Sequence, residues 1–167
     1  MDKSNTLTIL KNAILIERKG KSLYQTAMNH ATDEAVKNFF KDLVDDEEEH
    51  TQILEKQFKA YMNSGKFMAG GYENDAAKVD APDILDESLK NKINAADFEA
   101  TAITAAISFE EKAVKMYAEQ AEKATDPEEK KMYHWLSVWE RTHLKKLMAL
   151  EESLIQDVWE DNNFWPF

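Results

Sequence analysis

The chain has 167 residues, an ordinary length for one domain, and with only four Gly and three Pro its composition favours helix nearly throughout. Its formal net charge of −11 leaves no basic stripe for a phosphate backbone, which excludes nucleic acid as an expected partner. The absence of cysteine excludes disulfides, iron–sulfur clusters and thiolate metal sites, so any metal would be held by carboxylate and imidazole groups.

Two helices are predicted in the first part of the chain. Apolar residues at helical spacing indicate a first helix over residues 6–30 and a second over residues 33–63. Either Thr32 or Asp33 is suited to capping the start of the second helix, and Gly65 is suited to ending it. The short connection between the two helices predicts a hairpin.

The second part of the chain repeats this arrangement after a long connection. The helical pattern breaks over residues 64–96, resumes over residues 97–125 and again over residues 127–160. Asp126 and Pro127 are suited to the capping position and the first turn of the last helix. Two short connections and one long crossover predict an all-α, ferritin-like four-helix bundle, which we expect to be a single domain over residues 1–167.

The cellular location is predicted from what the sequence does not contain. Its N-terminal residues are polar and lack an apolar signal core, and no later stretch stays uncharged over the length that crosses a bilayer. We therefore expect a cytoplasmic protein without membrane contact.

The two predicted hairpins are related by an internal repeat. A shift of 93 residues relates Glu17 to Glu110, Tyr24 to Tyr117, Glu47 to Glu140 and His50 to His143. The three-four spacing of the apolar residues defines an inward-facing stripe, or seam, on each predicted helix. The glutamates and histidines of this set lie on these seams, at positions that leucine would usually occupy. A repeat of this kind predicts a site with pseudo-twofold symmetry in the core of the bundle.

Charge balance predicts that this site binds metal. Four buried carboxylates would cost several kcal/mol each, against a total stability of about 5–15 kcal/mol, unless cations cancel their charge. Two divalent ions would do so, and Glu-x-x-His places both side chains on one helix face. Di-iron and di-manganese carboxylate proteins use a matching ligand set, with one Glu from each of two helices and a Glu-x-x-His pair from each of the other two. The predicted ligands are Glu17, Glu47, His50, Glu110, Glu140 and His143.

Other polar residues are assigned simpler roles. Tyr24 and Tyr117 lie two turns from Glu17 and Glu110 on the same face, which predicts core aromatic residues that donate hydrogen bonds to ligand carboxylates. The remaining acidic residues around the second-helix motif and the remaining histidines are predicted to lie on the surface; they are Asp45, Asp46, Glu48, Glu49, His30 and His134.

The sequence resembles the rubrerythrin branch of the ferritin-like superfamily. The matching residues in the first hairpin are Glu17, Tyr24 seven residues later, and the segment from Phe39 to Leu43 that precedes Glu47-x-x-His50. The same pair of motifs occurs again in helices three and four. The resemblance covers nearly the whole chain apart from the crossover and the tail over residues 162–167. It implies a non-haem di-iron oxidoreductase with a role in oxidative stress, oxidised by hydrogen peroxide or dioxygen and reduced again by an electron carrier.

Two departures from the rubrerythrin pattern shape these expectations. Rubrerythrins proper carry a rubredoxin module with four cysteines, and without cysteine this chain is expected to take electrons from a separate rubredoxin-like protein. They also carry a further Glu three residues after the third-helix ligand, where this chain has Ala113. The change leaves a more symmetric site, closer to that of bacterioferritin. We expect two iron ions, with manganese or zinc as alternatives, and a homodimer.

The same ligand set is compatible with two other functions. A ferroxidase or iron-storage subunit would pass iron through the site as substrate, although Glu48 stands where bacterioferritin has its haem-ligating Met. A non-catalytic metal-binding bundle would hold the ions without turnover. Assembly size separates storage from catalysis, because a mineral store needs a hollow cage.

Overall fold

A computed structural model of the protein describes residues 3–70, 89, 92–93 and 98–161. These residues form four α-helices and no strand: α1 over Lys3–His30, α2 over Glu34–Ser64, α3 over Phe98–Lys123 and α4 over Pro127–Asp161. In this described part of the chain, no helix is apolar over enough of its length to span a membrane. The predicted all-α, ferritin-like four-helix bundle is confirmed.

The bundle consists of two helical hairpins. α1 packs along α2, α3 packs along α4, and α1 lies beside α3 where the two hairpins meet. Most of the predicted crossover over residues 64–96 lies outside the described residues. Of its described part, Leu89 and Ile93 are buried in the core, and Lys92 Nζ lies 3.3 Å from Asp33 Oδ2. These contacts attach the later part of the crossover to the end of the bundle where α2 begins.

Aspartates cap the start of the second helix in each hairpin. Asp33 has extended backbone angles, and its Oδ1 accepts hydrogen bonds from the backbone N–H groups of residues 35 and 36. Asp126 Oδ1 accepts from residues 128 and 129 in the same way, with Pro127 in the first turn of α4. Gly65 follows α2 with φ of 71°, a conformation that glycine adopts without steric cost. Each aspartate cap satisfies backbone donors that would otherwise lack partners, and the N–H of Gly65 donates to the carbonyl of Tyr61.

The core consists of two apolar clusters with a charged layer between them. The first apolar cluster includes Ala27, Val36, Phe40, Leu43, Ala100, Ile103, Leu147 and Leu150. The second apolar cluster includes Leu10, Ala13, Leu54, Ala113, Ala121, Met132, Tyr133 and Leu136. The middle layer, which lies between the two clusters along every helix, holds Glu17, Glu47, His50, Glu110, Glu140 and His143. The helices therefore carry six ionisable groups into the centre of the bundle.

Two helix boundaries differ from the sequence-based expectation by more than one residue. α1 begins at Lys3 instead of about residue 6, and Thr6 is already a buried side chain of this helix. α3 ends at Lys123 instead of about residue 125. The two residues that follow it are not helical and lead to the Asp126 cap, which requires a break in the helix.

Candidate metal centre

The structure brings all six predicted ligand residues together in the middle layer. Each is at most 2 % exposed, and each helix contributes the residues that the seam pattern places on its inward face. α1 contributes Glu17 and α3 contributes Glu110, while α2 contributes Glu47 with His50 and α4 contributes Glu140 with His143. The spacing of three residues in each Glu-x-x-His pair aligns both side chains on one helix face.

The first ligand cluster consists of Glu17, Glu47, His50 and Glu140. One ligand atom from each residue lies within 4.8 Å of the others. His50 Nδ1 faces the three carboxylates, at 3.2 Å from Glu17 Oε2, 3.6 Å from Glu47 Oε2 and 3.0 Å from Glu140 Oε1. The imidazole nitrogen and the carboxylate oxygens therefore converge on one point.

The second ligand cluster consists of Glu47, Glu110, Glu140 and His143, with ligand atoms again within 4.8 Å of one another. His143 Nδ1 lies 3.6 Å from Glu47 Oε1, 3.7 Å from Glu110 Oε1 and 3.2 Å from Glu140 Oε2. Glu47 and Glu140 belong to both clusters, and each presents one oxygen to each histidine. The two shared carboxylates could therefore contribute to both metal positions, with one further Glu and one His at each position.

Polar atoms of the layer lack hydrogen-bond partners among the described residues. These buried atoms include Glu47 Oε2, Glu110 Oε2, both oxygens of Glu140 and His143 Nδ1. Buried polar atoms normally have a partner, since an unsatisfied one costs free energy. A pair of cations would coordinate these atoms, and the donor set of carboxylate oxygen and imidazole nitrogen suits iron, manganese or zinc. The residues present thus fit a dinuclear metal site.

Burial and neighbouring charges shift the pKa values of the ionisable groups in the middle layer. Burial and the charges of Glu140 and Glu47 raise the pKa of Glu17, and burial and Glu140 raise the pKa of Glu110 to about 8. Although burial disfavours a charged imidazole, the surrounding carboxylates raise the pKa of His50 well above its ordinary value. The pKa of Glu140 falls despite its burial, because both histidines stabilise its charge. Metal binding must therefore displace protons from this layer.

The two tyrosines related by the repeat hold carboxylates across the bundle. Tyr24 of α1 donates its hydroxyl hydrogen to Glu110 Oε1 of α3, and Tyr117 of α3 donates to Glu17 Oε1 of α1. Burial and nearby carboxylates raise the pKa of both phenols, so that they remain protonated donors. These bonds connect the two hairpins and orient the two carboxylates that belong to one cluster each.

We expect Tyr24→Phe and Tyr117→Phe each to lower the free energy of unfolding by about 1–3 kcal/mol, the usual cost of removing a partner from a buried acceptor. Urea unfolding of the metal-loaded protein measures this change. Tyr61→Phe is the matched control, because Tyr61 packs against Phe67 outside the middle layer. Equal losses in the control and in the two variants would contradict a specific role for the crosswise bonds.

The prediction that Asp46 lies on a solvated surface is wrong. Its side chain is only 28 % exposed, and Oδ2 lies 3.1 Å from Nε2 of His143 on α4. Burial acts to raise the pKa of Asp46, but the hydrogen bond and charge of His143 hold it below its ordinary value. Among the other acidic residues near the motif, Asp45 and Glu49 are exposed, and Glu48 pairs with Lys21 at 2.6 Å. Of these four acidic residues, Asp46 is the one whose carboxylate is hydrogen-bonded to a histidine of the middle layer.

Sequence reasoning also missed Gly20 and the tryptophans near His50. A methyl group at Gly20 would lie 3.2 Å from Glu47 Oε1, so that the absence of a side chain makes room for a shared carboxylate. A glycine in a helix interior costs about 1 kcal/mol relative to alanine, and this cost is the signal that could have identified the residue. Trp135 and Trp139 contact the His50 ring.

The remaining histidines, His30 and His134, are exposed as expected.

The fold and the middle layer define a class of protein: a ferritin-like bundle whose buried glutamates and histidines can hold two metal ions. The family model described as Rubrerythrin matches residues 8–151. The chain belongs to the rubrerythrin family, and this membership implies a di-iron site. Comparison with curated proteins found no match, and neither did comparison with solved structures.

Proposed function

We propose that the protein is a non-haem di-iron oxidoreductase that reduces hydrogen peroxide, or dioxygen, with electrons from a separate carrier. The observation that carries this proposal is the overlap of the two ligand clusters in Glu47 and Glu140. Two shared carboxylates would keep two ions close together, and membership of the rubrerythrin family favours iron. The six residues Glu17, Glu47, His50, Glu110, Glu140 and His143 are the proposed ligands.

The six residues would hold two ferrous ions, which when bound would supply two electrons for cleavage of one O–O bond. Reduction of one hydrogen peroxide to two waters consumes those two electrons and two protons. The protein residues hold the carboxylates in place: the hydroxyls of Tyr24 and Tyr117 stay protonated and donate to Glu110 and Glu17. The apolar clusters on both sides of the layer limit the entry of bulk water along the bundle axis.

The electron donor is proposed to be another protein. The sequence contains no cysteine, so a rubredoxin-type iron site cannot form within it. A rubredoxin-like carrier would restore the ferrous pair after each oxidation. The reduced protein alone is therefore expected to complete one oxidation and then stop.

Stopped-flow oxidation of the anaerobically reconstituted ferrous protein tests this proposal. We expect about one equivalent of hydrogen peroxide to oxidise each pair of ferrous ions, faster than air does, and reduced rubredoxin to restore further turnover. His143→Ala should abolish the reaction, whereas His134→Ala makes the same change on the exposed face of α4 and should not.

Other outcomes point to the other functions. Faster oxidation by dioxygen, with iron then leaving the site, would favour a ferroxidase. Stable binding of metal without reaction towards either oxidant would favour a non-catalytic metal-binding bundle. Either result would overturn the proposed peroxide chemistry while leaving the metal site in place.

A further inference from the structure

The two halves of the metal centre differ in what lies behind their histidines. His143 Nδ1 faces the carboxylates of the middle layer, while Nε2 of the same ring lies 3.1 Å from Asp46 Oδ2. The 93-residue shift that relates the hairpins pairs Asp46 with Trp139. At the position where one hairpin has a carboxylate, the other therefore has an indole.

His50 is enclosed by tryptophans where His143 meets a carboxylate. Its ring makes edge-to-face contacts with Trp135 and Trp139, at centroid distances of 5.3 and 5.8 Å. The two indoles contact each other at 5.4 Å. His50 Nε2 is buried and has no hydrogen-bond partner among the described residues. The His50 ring thus packs against two indoles, and within the described chain no carboxylate accepts a hydrogen bond from its Nε2.

This difference acts on the nitrogen that faces the metal position. A carboxylate that accepts the Nε2 hydrogen keeps the proton on that nitrogen, directs the Nδ1 lone pair towards the metal and raises the basicity of the ring. Loss of such a partner typically lowers metal affinity by about 10–100-fold. Asp46 supplies this support to His143, whereas His50 receives no equivalent support from the described residues.

We propose that Asp46 makes the two metal positions unequal, so that the position beside His143 binds more tightly and fills before the position beside His50. Asp46 is a positioning residue in this account, because it acts through His143 and not as a ligand. The inference rests on the proposed dinuclear centre, but it does not depend on the reaction that the centre performs.

Loading of the unchanged protein with Co²⁺ tests the order of filling. Titration of the full metal-free chain, followed by cobalt absorption and calorimetry, should show two separate steps. A crystal grown with one equivalent of Co²⁺ should show anomalous density beside His143. Density beside His50 instead, or equal density at both positions, would overturn the proposal.

The matched variants Asp46→Asn and Asp45→Asn locate the cause. Asp46→Asn keeps the shape and the acceptor oxygen but removes the charge, and should weaken the tighter step by about 10–100-fold with little effect on the other. Asp45→Asn makes the same charge change at an exposed neighbour that pairs with Lys41, and both steps should stay as in the unchanged protein.

The failures of this inference and of the proposed function are distinguishable. Two unequal steps that Asp46→Asn leaves unchanged would reject the role of Asp46 and keep the dinuclear centre. Absence of cobalt binding in the unchanged chain would reject the centre itself. If Asp46→Asn does not fold, the one-equivalent crystal of the unchanged protein decides the order of filling alone.

Discussion

Glu140→Ala is expected to abolish binding of both metal ions, whereas Glu17→Ala should remove only one. The Glu140 oxygens lie 3.0 Å from His50 Nδ1 and 3.2 Å from His143 Nδ1, so this residue belongs to both ligand clusters. Glu17 belongs only to the cluster of His50. Elemental analysis after anaerobic loading with iron should therefore find about two ions per unchanged chain, about one in Glu17→Ala and none in Glu140→Ala.

Two further variants make this comparison specific. Glu152→Ala removes an exposed carboxylate from the same helix as Glu140 and should leave both ions in place. Glu47→Ala removes the other shared carboxylate and should behave like Glu140→Ala. Circular dichroism would verify that each variant remains helical. Retention of two ions in folded Glu140→Ala would show that the middle layer is not where the ions bind.

Removal of metal from the loaded protein is expected to lower its melting temperature by about 10–20 °C at pH 7.5. A ligand at about 100 times its dissociation constant stabilises the fold by about 2.7 kcal/mol per site. In a domain of this size, about 1 kcal/mol changes the melting temperature by about 2–4 °C. Calorimetry of the loaded and the metal-free protein measures the difference.

This difference should widen as the pH rises from about 4.5 to 8. In the metal-free protein, burial and the charge of Glu140 raise the pKa of Glu110 from its ordinary 4.5 to about 8. Because the folded pKa lies above the unfolded one, the stability due to protonated Glu110 is full below pH 4.5 and is lost as the pH rises through 8. Metal affinity increases over the same range, since fewer protons compete for the ligands. Equal melting temperatures with and without metal across this range would contradict a metal site in the core.

The sequence predicted the middle layer because two independent patterns agreed at the same residues. The three-four spacing placed Glu17 and Glu110 on inward seams, and the internal repeat paired each with its counterpart in the other hairpin. Helical geometry then leaves little freedom in where these side chains point. The structure brings the six residues together, while their binding of metal stays a prediction.

The supporting residues could not be predicted in the same way. Asp46 lies one position before Glu47, beside the seam, and its partner His143 is on another helix. Whether such a residue faces solvent or a neighbouring helix depends on how the hairpins are rotated against each other, which a stripe pattern does not specify. For a related reason, the sequence does not decide whether Thr32 or Asp33 caps α2. Backbone angles decide the choice, and the extended conformation is found at Asp33.

The position of the charged layer between two apolar clusters also controls how the helices align along the bundle axis. If one hairpin moved along the other by a single helical turn, about 5.4 Å, the carboxylates of the moved hairpin would face leucine and phenylalanine side chains. Tyr24 and Tyr117 would lose Glu110 and Glu17, and buried charges without partners cost several kcal/mol each. Apolar clusters alone tolerate such sliding, because one leucine contact resembles the next. The residues proposed to bind metal therefore also select a single axial register for the two hairpins.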